Sequence, residues 1–295
     1  MGQPNARIRQ PAWAGQFYPS SPLELQKKIR TFLASSPVLP CPDEIVALIA
    51  PHAGYDYSGQ TAAAAYKQVA NRDYETVVLI SPSHADAISG VAIYSGDYYA
   101  TPLGLVPINQ SLSGALAEQS PALHLTERGH QVGGERAEHA LEVHLPFLQT
   151  VLPQGFLLVA VVFHDYSWKN CVALGDAIAE CIDPQNTLIV ASSDLYHGSS
   201  YADCLRTDAR TLQSIAAFDV EKFWQKSHTH EFQACGAGPI TSAMLASQRL
   251  GADQIQIIAK TNSADVAGYR SGYVVGYGAA MITRPSTAAK QQRDK

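Results

Sequence analysis

Four short stretches of the chain are apolar at nearly every position, without alternation of hydrophobic and polar residues. They lie at residues 45–50, 76–80, 156–163 and 187–191. β-Branched and leucine side chains dominate them, which predicts strands that are buried on both faces. Two further strands are predicted nearer the C-terminus, over 254–259 and 273–282.

Apolar residues at helical spacing lie between these stretches. Residues 21–24 form a capping box with Pro22 at the first helical position, which predicts a helix that begins after Ser21. Further helices are predicted over 59–70, 137–151, 168–181, 202–217 and 239–250. Strands separated by helices predict an α/β fold with a mostly parallel central sheet flanked by helices on both faces.

The stretch 88–108 departs from this pattern, because its short apolar runs are divided by Gly and Pro. We expect a local antiparallel excursion there. No repeat, linker or abrupt change of composition divides the chain, so we predict a single domain over residues 6–283. The polar segment 284–295 has no apolar periodicity and is expected to be disordered.

Composition and charge narrow the class of protein. The 295 residues are 46% hydrophobic and 16% charged, which excludes disorder for the bulk of the chain, and a net charge of −5 disfavours a nucleic-acid partner. The longest unbroken apolar run, 156–163, is far shorter than the roughly 20 residues of a membrane-spanning helix. The N-terminus lacks the apolar core of a signal peptide, so we expect a cytoplasmic protein whose scattered cysteines are reduced.

A histidine follows each of the four buried strands at a short distance. These residues are His52, His84, His164 and His197. Because the carboxyl ends of parallel strands meet at one edge of a sheet, His52, His84 and His197 are expected to face a common pocket. A hydrogen bond from the ring to backbone is the alternative for each histidine, and it is the favoured interpretation for His164.

Two histidines from different strand ends, joined by an acid or a thiolate, are a reasonable ligand set for Fe, Zn or Cu. The candidate third ligand is Cys235. Pro239 is expected at the first position of the following helix, so the helix dipole should lower the pKa of the Cys235 thiol. The alternative is that Cys235 is a small buried residue.

The segment from Glu138 to Pro146 is a second group of candidate residues. On a helix, His139 and Glu142 would share one face, whereas His144 would lie elsewhere around the axis. Pro146 would kink or restart the helix and could aim Glu142 and His144 into the crevice. The alternative is a solvated helix face. Neither an HExxH motif, a phosphate-binding GxxxxGK loop nor a GxSxG elbow is present.

Six motifs in order resemble the Memo-like family, whose microbial members are called AmmeMemoRadiSam system protein B. They are AGQFYP at 14–19, APHAGY at 50–55, SPSH at 81–84, EVHLP at 142–146, SSDLYH at 192–197, and Cys235-Gly236 with Pro239-Ile240. The resemblance runs from about residue 6 to 283. It implies a fold similar to the catalytic subunit of class III extradiol dioxygenases, which hold non-haem Fe(II) with two histidines and one carboxylate.

The resemblance also implies roles for individual residues. His52 and His84 match the two histidine ligands, His197 matches the acid–base histidine, and Cys235 takes the place of the carboxylate. A thiolate favours copper or zinc more than a carboxylate does and can itself be oxidised, which disfavours ordinary ring cleavage. The family name further implies a pathway link to a radical-SAM protein.

The leading hypothesis is a metal-binding protein with redox or oxygen-dependent chemistry on an unidentified small substrate. His197, oriented by Asp194, would move protons, and Glu142 and His144 are further catalytic candidates. Two alternatives stay open. One is a metal-assisted hydrolase in which His197 or Glu142 acts as the base, and the other is a non-enzymatic protein that binds a peptide or metabolite in a vestigial pocket.

Overall fold

The computed structural model describes residues 6–41, 43–131, 137–152 and 154–286. The strands of these residues form two β-sheets. The strands are β1 (Ile8–Arg9), β2 (Glu44–Ala50), β3 (Thr76–Pro82), β4 (Val91–Tyr94), β5 (Tyr98–Thr101), β6 (Gly104–Pro107), β7 (Leu123–Thr126), β8 (Leu157–Phe163), β9 (Thr187–Ser192), β10 (His197–Gly198), β11 (Gln254–Asn262) and β12 (Val274–Arg284). The helices are α1 (Pro22–Ala34), α2 (Tyr55–Lys67), α3 (Gln110–Glu118), α4 (Leu145–Val151), α5 (Trp168–Cys181), α6 (Tyr201–Ala216), α7 (Val220–His228), α8 (Ala237–Arg249) and α9 (Ser263–Ala267), and a 3₁₀ helix spans Glu142–His144.

The larger sheet has the strand order β10-β12-β2-β9-β3-β8-β4-β7, with β11 paired to β12. Its centre is parallel, because β9 pairs in parallel with β2 and β3, and β3 with β8. Antiparallel pairs flank this centre, between β12 and β2 on one side and between β4 and β8 on the other. The predicted parallel core and the α/β class are confirmed, within a sheet that is mixed as a whole.

Both faces of the central strands are buried, as their continuous apolar sequence predicts. Alternate residues of β3 enter two different core clusters: Val77 and Leu79 pack with α1, α2 and α4, whereas Val78 and Ile80 pack with α5 to α8. The single-domain expectation is confirmed. None of the described helices is long and apolar enough to cross a lipid bilayer.

Most predicted helices form, and local signals explain their ends. Ser21 caps α1 by accepting a hydrogen bond from the Glu24 amide, and α5 spans the predicted residues. The antiparallel excursion also forms, with β5 and β6 as an antiparallel pair in the smaller sheet, β1-β5-β6.

Several predicted boundaries are wrong. Helix α2, predicted over 59–70, spans Tyr55–Lys67. The helix predicted over 137–151 is limited to the 3₁₀ turn and α4, and Pro146 lies in the first turn of α4, where its missing amide hydrogen costs nothing. Residues 137–139 are therefore in a loop. Arg284, assigned to the disordered tail, belongs to β12 and forms an ion pair with Glu44, while residues 287–295 lie outside the described part.

Candidate metal centre

Three histidine rings meet at the carboxyl edge of the sheet. One ligand nitrogen each from His52, His84 and His139 lies within 4.8 Å of the other two. The ring centroids are 5.1 Å apart for His52 and His84, 5.5 Å for His52 and His139, and 4.8 Å for His84 and His139. This three-imidazole cluster can hold a metal ion.

The ends of two central strands, which lie on either side of β9, and one loop position these rings. His52 and His84 each lie two residues beyond a central strand, β2 and β3, so the parallel sheet brings them to one edge. His139 comes from the loop before the 3₁₀ turn. Trp13 and Phe17 of the N-terminal segment pack against its ring, with centroids at 5.7 and 4.8 Å.

The buried carboxylate of Glu138 joins two of the histidines. It accepts backbone N–H bonds from His84, Ala85 and His139, and the ring Nδ1–H of His84 at 3.1 Å. Burial alone would raise the pKa of Glu138, but the hydrogen bond and charge of His84 outweigh it and lower that pKa to about 2. With Nδ1 donating to this carboxylate, the Nε2 of His84 keeps its lone pair for a metal.

The rings of His52 and His139 are held neutral, which is the form that binds metals. Burial lowers the pKa of His52 well below its ordinary value, and the nearby His84 lowers it further. Burial also lowers the pKa of His139 to about 4, although Glu138 acts in the opposite direction. Neutral imidazoles beside one carboxylate make a site that attracts a cation without first having to lose protons.

Cys235 lies beside the cluster, with its Sγ 3.2 Å from Nε2 of His52. Two ligands of one tetrahedral zinc, with Zn–N about 2.1 Å and Zn–S about 2.3 Å, are roughly 3.6 Å apart, so a shift of a few tenths of an ångström would let both bind. The structure thus places Cys235 beside His52 and His52 beside His84, and adds His139 to the cluster. Whether Cys235 binds a metal stays a prediction.

The predicted electrostatics of Cys235 are wrong. Helix α8 begins at Ala237, with Gly236 as its N-cap, so Pro239 is the third helical residue and not the first. Burial, followed by the nearby Asp194, raises the pKa of the Cys235 thiol. Desolvation outweighs the helix dipole, and the thiol keeps its proton until a cation displaces it.

Asp194 and His197 lie near one another in sequence but have separate partners. The Asp194 carboxylate accepts the backbone N–H of His52 at 2.8 Å, and burial raises its pKa to about 7. His197 donates its Nδ1–H to the Leu195 carbonyl at 3.0 Å and its backbone N–H to Gln233. Asp194 therefore positions the His52 loop, and the expectation that it orients His197 is wrong.

A cavity of about 440 Å³ lies next to Cys235, the residue that contacts His52 of the cluster. It is lined by Tyr166, His197, Ser227, His228, His230, Phe232, Gln233, Ala234, Cys235 and Ala237. Its volume falls within the range of small-ligand pockets. The cavity is thus open to both His197 and Cys235.

Glu142 is buried away from solvent and is fully engaged by the N-terminal segment. Its carboxylate accepts hydrogen bonds from the side chains of Arg9 and Tyr18, each at 2.5 Å, and from the backbone of Ala12 and Trp13. The alternative of a solvated helix face is wrong. Four donors occupy the carboxylate, which leaves Glu142 a structural anchor for residues 9–18.

His144 and His164 also have defined partners. The Nε2 of His144 lies 2.7 Å from Ser192 Oγ, which is itself 2.6 Å from Nδ1 of His52. His144 thus contacts the cluster through Ser192 rather than directly. His164 donates its Nδ1–H to the Ser83 carbonyl, in line with the structural interpretation.

Sequence reasoning missed His139 and Glu138 as parts of the site. The pattern predicts both residues on a helix, where the spacing pairs His139 with Glu142, but the loop at 137–139 turns them toward His84 instead. The adjacent acid and imidazole were the available signal. Their partners are more than 50 residues away, so no local pattern could connect them.

Comparisons with known proteins agree with this architecture. A family model described as Memo-like protein matches residues 9–281. A MEMO1 family protein from Nitrosopumilus maritimus is 34% identical over 92% of this chain and 98% of its own length. Another, from Methanopyrus kandleri, is 32% identical over 94% of this chain and 99% of its own length.

A solved structure has a similar fold. An uncharacterized protein from Escherichia coli K12 matches 79% of this chain and 99% of its own, with a TM-score of 0.50 and 12% identity. That likeness concerns the fold alone. The family match spans nearly all described residues, including the histidine cluster and Cys235, and this chain belongs to the Memo-like protein family.

Proposed function

We propose that this protein binds one transition metal ion and uses it in redox or oxygen-dependent chemistry on a small substrate. His52 and His84 are the common ligands, and either His139 or Cys235 supplies the third. The observation that carries the proposal is the meeting of three imidazoles whose ligand nitrogens lie within 4.8 Å of one another, with a thiol beside His52.

The donor set fits a borderline or soft transition metal better than magnesium or calcium, which prefer oxygen ligands. Three protein ligands also leave a coordination position open, as in catalytic metal sites. A bound iron or copper ion would supply one-electron redox chemistry at that position.

The cavity lined by Cys235 and His197 is the proposed substrate site. His197 is exposed overall, yet desolvation of its ring lowers its pKa, so the imidazole is neutral at neutral pH. Its Nδ1–H is bonded to Leu195, which leaves Nε2 as the basic atom. His197 would therefore accept a proton from a substrate before returning it.

Elemental analysis of protein purified anaerobically from its own cells tests metal binding. We expect about one iron or copper per chain, loss of the metal in His52→Ala, and retention in His124→Ala, whose histidine is exposed on β7. Wild-type protein with no more metal than His52→Ala would refute the site.

Oxygen consumption tests the chemistry. The metal-loaded protein, supplied with the small-molecule fraction of a cell extract, should consume oxygen faster than His52→Ala treated in the same way. Equal rates in a protein that retains its metal would favour hydrolysis or simple binding, since neither consumes oxygen.

A further inference from the structure

Ser192, the last residue of β9, is fully buried behind the histidine cluster and has three polar neighbours. Its Oγ lies 2.6 Å from His52 Nδ1, 2.7 Å from His144 Nε2 and 3.0 Å from the carbonyl oxygen of Ala140. On the far side of His144, the hydroxyl of Tyr66 lies 2.7 Å from Nδ1. These contacts join the side chains of Tyr66, His144 and Ser192 in one series that ends at His52.

With both imidazole rings neutral, only one placement of protons makes every contact in this series a hydrogen bond. A serine hydroxyl has one proton to donate and two lone pairs that accept. The Ala140 carbonyl can only accept, so the Ser192 proton must point to it. Both imidazoles must then donate N–H groups to Ser192, from Nδ1 of His52 and from Nε2 of His144.

The same count of donors and acceptors assigns the remaining protons and lone pairs. With its proton on Nε2, the neutral ring of His144 accepts the Tyr66 hydroxyl at Nδ1. With its proton on Nδ1, the neutral ring of His52 has its lone pair on Nε2, the atom that faces Cys235. The tautomer of His52 is thus the one that a metal at the cluster requires.

We propose that Ser192 is a positioning residue that holds His52 in the Nδ1–H tautomer and so presents Nε2 to the metal. The inference rests on the proposed metal site. Tyr66 and His144 hold the far side of Ser192, which gives His144 a supporting role in place of the predicted catalytic one. His84 is held in the same tautomer by a different group, the Glu138 carboxylate.

The tautomer can be measured in metal-free protein by NMR with nitrogen-15-labelled histidine. Comparison with His52→Asn assigns the His52 signals. We expect wild-type His52 to carry its proton on Nδ1. A proton on Nε2 would overturn the proposal, whether or not the protein binds a metal, so its failure is separate from that of the proposed function.

Ser192→Ala tests the cause of the preference. Without the acceptor, His52 should shift toward the Nε2–H form, and the affinity for Co²⁺ should fall by about 10- to 100-fold, the usual effect of removing such a partner. Ser192→Thr keeps the hydroxyl and should keep the tautomer. Ser247→Ala is the matched control, because the side-chain hydroxyl of that buried serine has no hydrogen-bond partner in the described residues.

Each result has a defined meaning. Unchanged tautomer and Co²⁺ affinity in folded Ser192→Ala would overturn the role of Ser192. A wild-type protein with the expected tautomer but no Co²⁺ binding would refute the metal site and leave the tautomer assignment supported. Where Ser192→Ala does not fold, the wild-type tautomer and the Ser192→Thr protein decide the question.

Discussion

At the residue scale, burial sets the protonation state of His52, His139 and Cys235. It lowers the pKa of His52 and His139 and raises the pKa of Cys235. The imidazoles offer lone pairs at once, whereas the thiol must lose a proton before it binds. The number of protons released on metal binding therefore distinguishes the two ligand sets.

The pH dependence of metal affinity should reveal the third ligand. If Cys235 binds as a thiolate, its raised pKa requires one proton to leave, and affinity should increase about tenfold per pH unit between about pH 7 and 9. If His139 is the third ligand, the affinity should be nearly flat there, because that ring is already neutral. Calorimetric titration with zinc measures the slope.

Two variants serve as controls for this slope. Cys235→Ser should flatten a steep dependence, since a serine hydroxyl keeps its proton in this range, and His139→Ala should leave a steep slope unchanged. A steep slope that survives Cys235→Ser would show that another group releases the proton.

His197→Ala should separate proton transfer from metal binding. The residue lines the cavity without belonging to the cluster, so metal content should remain while oxygen consumption falls by roughly 10²- to 10⁴-fold, as for loss of a general base. Metal content, melting temperature and turnover are measured together. Retained turnover in well-folded protein would remove His197 from the mechanism.

At the element scale, close contacts between loops and strand ends hold the site together. The loop before α8 passes directly over the end of β9: a Cβ added at Gly236 would lie 2.0 Å from the Ser192 carbonyl oxygen. Only glycine allows this approach. The contact keeps Cys235 beside His52.

Gly236→Ala should push the Cys235 loop away from β9. We expect a loss of about 1–3 kcal/mol in the free energy of unfolding, typical of overpacking, together with weaker metal binding. Gly114→Ala in α3 is the control, because its added Cβ meets no atom within 4 Å, and alanine favours the helix. Urea unfolding that shows equal stability for both variants would contradict this account.

The N-terminal segment is fastened to the 3₁₀ turn by the buried ion pair of Arg9 and Glu142. Glu142→Gln would leave the guanidinium without its counter-charge and should cost about 3–5 kcal/mol of stability, with metal content per folded molecule retained. Glu118→Gln, at an exposed carboxylate, is the control. Lost turnover without lost stability would instead favour the catalytic role first predicted for Glu142.

At the scale of the whole molecule, buried histidines dominate the response of stability to acid. Burial lowers the pKa of His130 and His144 to about 3 and of His139 to about 4. The unfolded chain binds protons at these rings below about pH 6.5, whereas the folded chain does not, so their contribution is present above that pH and lost on acidification. Asp194 and Asp208, with pKa values raised to about 7 and 6, act in the opposite direction.

The net effect should be a metal-free protein that is less stable at about pH 5 than at about pH 7, because more histidines than aspartates are shifted. Urea unfolding with a chelator present measures this difference. His130→Gln should reduce the pH slope by about one proton, or roughly 1.4 kcal/mol per pH unit. Equal or greater stability at the acidic pH would contradict the buried neutral state.

The sequence alone determined the fold class, the central strands and the edge of the sheet at which the site lies. Continuous apolar runs identified β2, β3, β8 and β9, and the rule that parallel strands end at one edge placed His52 and His84 together. These predictions succeeded because strand burial and helix capping depend on residues that are near one another in the chain.

The tertiary structure decided which side chains meet at the site and how burial shifts their pKa values. A loop brings Glu138 and His139 to the site, and Ser192 contacts His52 although the two lie 140 residues apart in the sequence. Burial raises the pKa of Cys235, which the sequence had predicted to be lowered. Helices such as α7 also escaped prediction, since packing stabilises them more than local sequence does. Hydrogen-bond partners and desolvation arise between residues remote in sequence, and the folded chain alone specifies them.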